Sequence, residues 1–204
     1  MLNYFPSETT QQRMPMSKKL LVVVDVQKDF VEGGALPYGY PTESNTKKVL
    51  DFVRDWCMED NALSHYMIAT KDTHGEDYSS TMEGSLLPVP HCIKGSVGWQ
   101  YADSTPDRDG IGWFADDEIL KPTFGTFRIK EWVENFEKEE CEPIDEIHII
   151  GYDLAICVLA NAVILRAAFP NKRIIVHKDL CGCVNEDTFK AALTVLSCQQ
   201  IEIV

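Results

Sequence analysis

Three residues with complementary chemistry stand where buried elements should end. Asp25 follows the apolar run Leu20-Leu21-Val22-Val23-Val24, Lys121 follows Ile119-Leu120, and Cys157 lies a few residues beyond Ile147-His148-Ile149-Ile150-Gly151. A thiol at the start of a helix is favoured as thiolate by free amide donors and the helix dipole, and a nearby lysine strengthens that effect. A carboxylate within reach can take the thiol proton and later act on water, so the three together suit nucleophilic hydrolysis. Each also has a plainer use. A helical cysteine often serves as a small core residue, a strand-end aspartate as a turn residue and a lysine as a solvated charge. Their common position favours the joint reading, because open α/β sheets bind ligands at the carboxyl ends of their strands.

A second constellation lies in the segment after Thr70. Asp72 and His74 are two apart in extended chain, so both side chains can point to one face, and Glu83 and His91 follow. Two imidazoles with carboxylates suit Zn(II), Fe(II) or Mn(II), with water completing the shell. The plainer alternative is a pair of loop histidines bonded to main chain, with Asp72 capping a turn. His65, His148 and His177 fall in or beside strand patterns and read as structural. So does Cys181-Gly182-Cys183, although it follows a strand and falls near the rim of any pocket there.

The elements that must position these groups alternate along the chain. Leu20 to Val24 is continuously apolar and β-branched, as suits a strand buried on both faces of a parallel sheet. Behind the cap candidates Ser44 and Asn45, Val49, Leu50, Val53, Trp56 and Cys57 take helical spacing. Tyr66 to Thr70, Ile119-Leu120, Ile147 to Ile150, Arg173 to His177 and Ile201 to Val204 complete six strands. Ile129, Trp132, Val133 and Phe136 mark a helix, Cys157 to Phe169 another, and Phe189, Leu193 and Leu196 a last one. The alternation predicts a doubly wound α/β fold: a six-stranded, mainly parallel sheet with helices on both faces. About forty residues from Asp72 to Trp113 depart from it, rich in Gly, Pro and Ser but carrying aromatics and histidines. A loop that long in a compact domain points to ligand binding.

Composition narrows the partners. Nineteen Lys plus Arg against 32 Asp plus Glu leave a net charge of −13 without clustered cations, which argues against nucleic acid or an anionic membrane. No apolar run reaches the roughly 20 residues of a membrane-spanning helix. No secretory signal is evident, and seven irregularly spaced cysteines fit reduced thiols better than a disulfide framework. A soluble chain in the cytoplasm is therefore expected, with residues 1–18 as a polar N-terminal extension and 19–204 as a single domain.

Five segments in order resemble the motifs of the isochorismatase-like cysteine hydrolases, most closely their nicotinamidase branch. They are Val23-Val24-Asp25-Val26-Gln27-Lys28-Asp29-Phe30, Thr70-Lys71-Asp72-Thr73-His74, Leu87-Pro88-Val89-Pro90-His91-Cys92-Ile93-Lys94-Gly95-Ser96, Lys121-Pro122-Thr123-Phe124-Gly125 and Ile156-Cys157-Val158. The resemblance runs from about Lys19 to the C-terminus. It implies Cys157 as nucleophile, Asp25 as general base and Lys121 as its cationic partner. It further implies a divalent metal, zinc before iron or manganese, on Asp72, His74, His91 and Glu83, where it would hold the ring nitrogen of nicotinamide. Phe30 and Phe124 would wall the substrate, the main chain around Cys157 and Asp153 would supply an oxyanion hole, and a cis peptide would fall near Tyr152-Asp153. The implied reaction is hydrolysis of a small carboxamide to carboxylate and ammonia by a homo-oligomer. Two departures stand out: Leu154-Ala155 replaces a usual Thr-Asp pair, and Leu87 falls near a site where many nicotinamidases have an aromatic residue. They leave the triad intact and favour, as an alternative, another small carboxamide; a binding homologue without turnover is a further alternative.

Overall fold

A computed structural model describes residues 17–41, 44–58, 64–103 and 110–204. Most of the expected N-terminal extension lies outside them. Six strands form one sheet in the order β3-β2-β1-β4-β5-β6: β1 (Lys18–Val24), β2 (His65–Asp72), β3 (Asp117–Lys121), β4 (Ile144–Gly151), β5 (Arg173–Cys181) and β6 (Glu202–Ile203). Every pairing is parallel, so all carboxyl ends emerge on one edge.

Alternation along β1 divides the core. Leu20, Val22 and Val24 pack beneath α4 (Arg128–Glu140), α5 (Leu159–Ala168) and α6 (Glu186–Cys198). Leu21 and Val23 face α1 (Thr46–Met58) and the short α3 (Ile111–Phe114). The strand is continuously apolar because it has no solvent face. Burying each such side chain contributes about 1.5–3 kcal/mol. All seven cysteines are free thiols. Among the described residues no helix is long and apolar enough to cross a membrane.

Several local expectations need correction. The long segment after β2 is not featureless: it holds α2 (Met82–Leu86), capped by Thr81 Oγ1 accepting the Gly84 N–H, and α3. It is tied back by isolated bridges from Gln27 to Tyr101 and from His74 to Ile93. Each of these helices spans little more than one turn, too short for periodicity to show. The Asn45 side chain also ties distant chain together. Its Oδ1 accepts from the Tyr38 and Tyr152 hydroxyls and its Nδ2 donates to the Cys181 carbonyl. The helix expected to start at Cys157 is preceded by a π-helical turn, Leu154–Val158.

Candidate active site

The carboxyl edge is shaped by two backbone features. Asp25 has φ 49°, a left-handed conformation that turns the chain out of β1 and costs on the order of 1–3 kcal/mol for a non-glycine residue. Opposite it, Gly151 pairs with Val24, and a Cβ there would sit 2.0 Å from the Val24 carbonyl oxygen, so only glycine fits. The chain then passes through a cis peptide at Tyr152-Asp153, as the resemblance implied. In the π turn that follows, the Val158 N–H reaches back to the Asp153 carbonyl at 3.0 Å. Asp153 Oδ1 caps the turn by accepting the Ala155 N–H at 2.7 Å.

These features bring Asp25, Lys121 and Cys157 together. Lys121 Nζ lies 2.5 Å from Asp25 Oδ2 and 3.5 Å from Cys157 Sγ, donates to the Thr123 carbonyl at 3.0 Å, and lies 3.4 Å from Asp72 Oδ1. The other Asp25 oxygen accepts from Thr70 Oγ1 at 2.7 Å. Asp25 and Lys121 have no solvent-accessible side-chain surface, and Cys157 is buried.

Charge in this dry space is set by desolvation and pairing. Burial pushes the Cys157 thiol well above its ordinary range; Lys121 opposes the shift, while Asp25 and Asp72 add to it. Burial thus works against the helix-favoured thiolate that the sequence suggests, and Lys121 works for it. Burial also raises the Asp25 carboxyl, against Lys121, making it a stronger base than a solvated carboxylate. Burial disfavours the Lys121 ammonium, but Asp25, Cys157 and Asp72 outweigh it and hold the charge.

The second set converges beside the first. Asp72 Oδ2 is 3.0 Å from His74 Nε2 and 3.3 Å from His91 Nε2, and Glu83 Oε1 is 3.7 Å from each imidazole nitrogen. His91 Nδ1 bonds the Val89 carbonyl at 2.9 Å, which leaves Nε2 to the cluster. Ligand atoms of Asp72, His74 and His91 all lie within 4.8 Å of one another, and all three residues are buried. Two imidazole nitrogens and two carboxylates, converging and mostly buried, fit a divalent ion of the zinc, iron or manganese kind. Asp72 joins the two sets, with one oxygen toward the histidines and the other toward Lys121.

The aromatic walls are divided. Phe124 lines a cavity of about 620 Å³ with His74, Glu83, Leu86 and Thr123. Phe30 lines another of about 370 Å³ with Tyr38, Asp153, Ile156 and Val184. Leu87 borders both, so Phe30 and Phe124 do not face each other across one pocket.

Four positioning residues escaped attention in the sequence. Thr70 holds Asp25; Gln27, fully buried, clamps Asp72 through its N–H (2.7 Å) and carbonyl (2.9 Å). Asn161 donates to the Cys157 carbonyl at 2.8 Å and accepts the Thr126 N–H at 2.9 Å, tying the π turn to the loop after β3. The Thr123 carbonyl receives Lys121. A polar residue inside an apolar strand or helix was the available signal for Thr70 and for Asn161, four residues after Cys157.

Sheet order and site together define an α/β enzyme of the hydrolase class. The chain belongs to the isochorismatase family: the Isochorismatase domain matches residues 19–204. It is 28% identical over 197 residues to the nicotinamidase/pyrazinamidase of Mycobacterium tuberculosis, covering 91% of this chain and 98% of that one. The nicotinamidase/pyrazinamidase structure from Bacillus subtilis superposes with a TM-score of 0.76 at 22% identity, covering 92% of this chain and 99% of that one. A pyrazinamidase of Pyrococcus horikoshii in complex with zinc gives 0.68 at 22% identity, covering 92% and 98%. These structures share the fold.

Proposed function

We propose that the chain deaminates nicotinamide to nicotinate and ammonia through a thioester on Cys157. The observation that carries this is the buried contact of Cys157, Lys121 and Asp25 directly beside the Asp72–His74–His91 set.

Asp25 takes the Cys157 proton as Sγ attacks the carboxamide carbon, so the thiolate exists only while it reacts. Lys121 keeps its charge throughout and stabilises both the carboxylate and the developing thiolate. The Leu154, Ala155 and Ile156 N–H groups are already bonded, so the main-chain N–H groups of Cys157 and Asp153 are the oxyanion donors, the customary device for this intermediate. Collapse breaks the C–N bond, and the protonated Asp25 gives its proton to the departing amine, releasing ammonia. Asp25 then takes a proton from water, hydroxide adds to the thioester carbon, and the C–S bond breaks. The proton returns to Sγ and the carboxylic acid leaves, ionising to nicotinate. Asp72, His74, His91 and Glu83 would hold a divalent metal, which supplies when bound a Lewis acid for the substrate ring nitrogen. Phe30, Phe124 and Leu87 provide apolar walls. A homo-oligomeric state and a cytoplasmic location belong to the same reading; light scattering and cell fractionation test them.

The cavities favour a second reading within the same chemistry. The cavity beside the metal set and the one beside Asp153 meet at Leu87, so a site that opens into both would admit a ring carboxamide larger than nicotinamide. A bulkier ring carboxamide is the alternative substrate.

Ammonia release from nicotinamide, measured beside Cys157→Ala and a chelated sample, tests the proposal. Release that disappears in both controls supports it. No release by metal-loaded wild type refutes nicotinamide as substrate, and a screen of larger ring carboxamides then decides the alternative.

A further inference from the structure

The Cys181-Gly182-Cys183 segment read from sequence as structural. In the fold it reaches the turn that carries Cys157. Gly182 accepts the Leu154 N–H at 2.8 Å and donates to the Gly151 carbonyl at 3.2 Å. A Cβ at Gly182 would meet Tyr38 Cδ1 at 2.7 Å and Tyr152 Cδ1 at 2.9 Å, so the main chain can come this close only because the residue is glycine. Cys183 exchanges main-chain bonds with Tyr40, donating its N–H at 2.7 Å and accepting at 2.9 Å. Its position is therefore fixed from outside the turn.

The buried Cys183 side chain completes the contact. Its Sγ is 3.3 Å from Asp153 Oδ1 and 3.3 Å from Thr188 Oγ1. The thiol donates to Asp153 Oδ1, while the Thr188 hydroxyl, which gives its one proton to the Asn185 carbonyl at 3.0 Å, packs against the sulfur as a close polar neighbour. Asp153 Oδ1 is the atom that caps the Ala155 N–H. Thr188 belongs to the capping box of α6 with Asn185. A chain of polar contacts thus runs from the start of α6, through one thiol, to the cap of the turn holding Cys157.

We propose that Cys183 is a positioning residue for the nucleophile: its thiol fixes the Asp153 cap, and the cap fixes Cys157 against Lys121 and Asp25. The rate consequence rests on the amidase reading above; the positioning itself does not. Loss of a hydrogen bond to a charged group next to the reacting turn should slow chemistry without altering the substrate walls. Cys183→Ala is expected to lower kcat about tenfold, with KM changed less than about twofold. Cys183→Ser, which keeps a donor, should recover most of the loss.

The experiment compares wild type, Cys183→Ala and Cys183→Ser in ammonia release from nicotinamide and in the alkylation rate of Cys157 by iodoacetamide, read by peptide mass spectrometry. Slower turnover and slower Cys157 alkylation in the alanine variant, both restored by serine, support the proposal. Unchanged kcat and alkylation, or an equal loss in the serine variant, overturn it, even if melting temperature falls. If wild type releases no ammonia, the amidase reading fails, and the alkylation rates alone decide whether Cys183 positions Cys157.

Discussion

Replacing Lys121 by methionine removes the charge and nearly preserves the volume, which isolates the electrostatic role of this residue. Lys121 and Asp25 have no exposed side-chain surface and approach to 2.5 Å. At an effective dielectric of about 20, opposite unit charges at that distance attract by about 6–7 kcal/mol before desolvation is counted. Breaking a buried pair by deleting one partner typically costs about 3–5 kcal/mol, because the other charge is stranded. Lys121→Met should therefore lose about that much stability at pH 7. In an Asp25→Asn background the same change should cost about 2 kcal/mol less, since no carboxylate remains at position 25 to strand. Acid should relieve the single variant in part. Burial already raises the Asp25 carboxyl, and without Lys121 only the Thr70 hydrogen bond opposes that shift. A folded-state pKa above the unfolded value gives stability that is complete below the unfolded pKa and is lost as pH rises through the folded one. The single variant should thus recover relative to the double variant as pH falls from 7 toward 5. Urea unfolding of the four proteins at both pH values, followed by tryptophan fluorescence, measures this. A Lys121→Met deficit below about 1 kcal/mol, or an equal deficit in both backgrounds, would refute a buried ion pair at the centre of the site.

Other expectations follow from the same geometry. Cys157→Ala should abolish turnover while leaving the unfolding midpoint within about 1 kcal/mol of wild type, a single small side chain having been removed; kinetics and urea titration check both halves. Dialysis against a chelator should lower the melting temperature, and zinc at a hundredfold above its dissociation constant should restore about 2.7 kcal/mol; no change on chelation, with metal content followed by elemental analysis, would count against the four-ligand site. Asn161→Ala leaves the Cys157 carbonyl and the Thr126 N–H without their partner and should cost about 1–3 kcal/mol for each group that finds no replacement, with kcat reduced. Away from the site, burial and the neighbouring His148 press the His177 pKa down to about 4, while His148 bonds His177 at 2.8 Å. A depressed folded-state pKa means stability present above about pH 6.5 and lost as pH falls toward 4, so His177→Gln should flatten the acid limb of an unfolding-versus-pH curve.

The architecture was legible in the sequence because its cause is local and periodic. An uninterrupted Leu20–Val24 run has few structural uses besides a central parallel strand, and amphipathic spacing from Val49 to Trp56 and from Ile129 to Phe136 leaves a helix on each face. The segment between β2 and β3 was not legible for the opposite reason. Its elements, Met82–Leu86 and Ile111–Phe114, are too short for periodicity, and α3 is held by packing against α1 and β2, which lie far off in sequence. Asp25, Lys121 and Cys157 could be located by their position after strands, and Asp72, His74, Glu83 and His91 by residue type and by resemblance. Gln27 and Asn161 aim the others by bonding to main chain, and Thr70 by bonding the Asp25 carboxylate, contacts that only the fold brings together. The separation of Phe30 from Phe124 at Leu87 is a matter of cavity shape that spacing does not encode.

The protonation state of the nucleophile shows why a residue list underdetermines a mechanism. Cysteine at a helix start beside lysine suggests a standing thiolate, and that inference holds where the thiol meets solvent. Here the same residues enclose one cation, Lys121, between the carboxylates of Asp25 and Asp72 and the Cys157 sulfur. Ionising Cys157 while Asp25 stays charged would set another anion against Lys121 in a space without water, and burial raises the thiol accordingly. Moving the proton from Cys157 to Asp25 instead leaves the net charge of the cluster unchanged, because one anion replaces another beside the same ammonium. The route of low electrostatic cost is therefore a proton transfer coupled to attack, with Lys121 as the fixed counter-charge at both ends of the transfer. In the proposed mechanism Asp25 is then the base, and Lys121 serves as a buried counter-charge in a way that a solvated lysine could not.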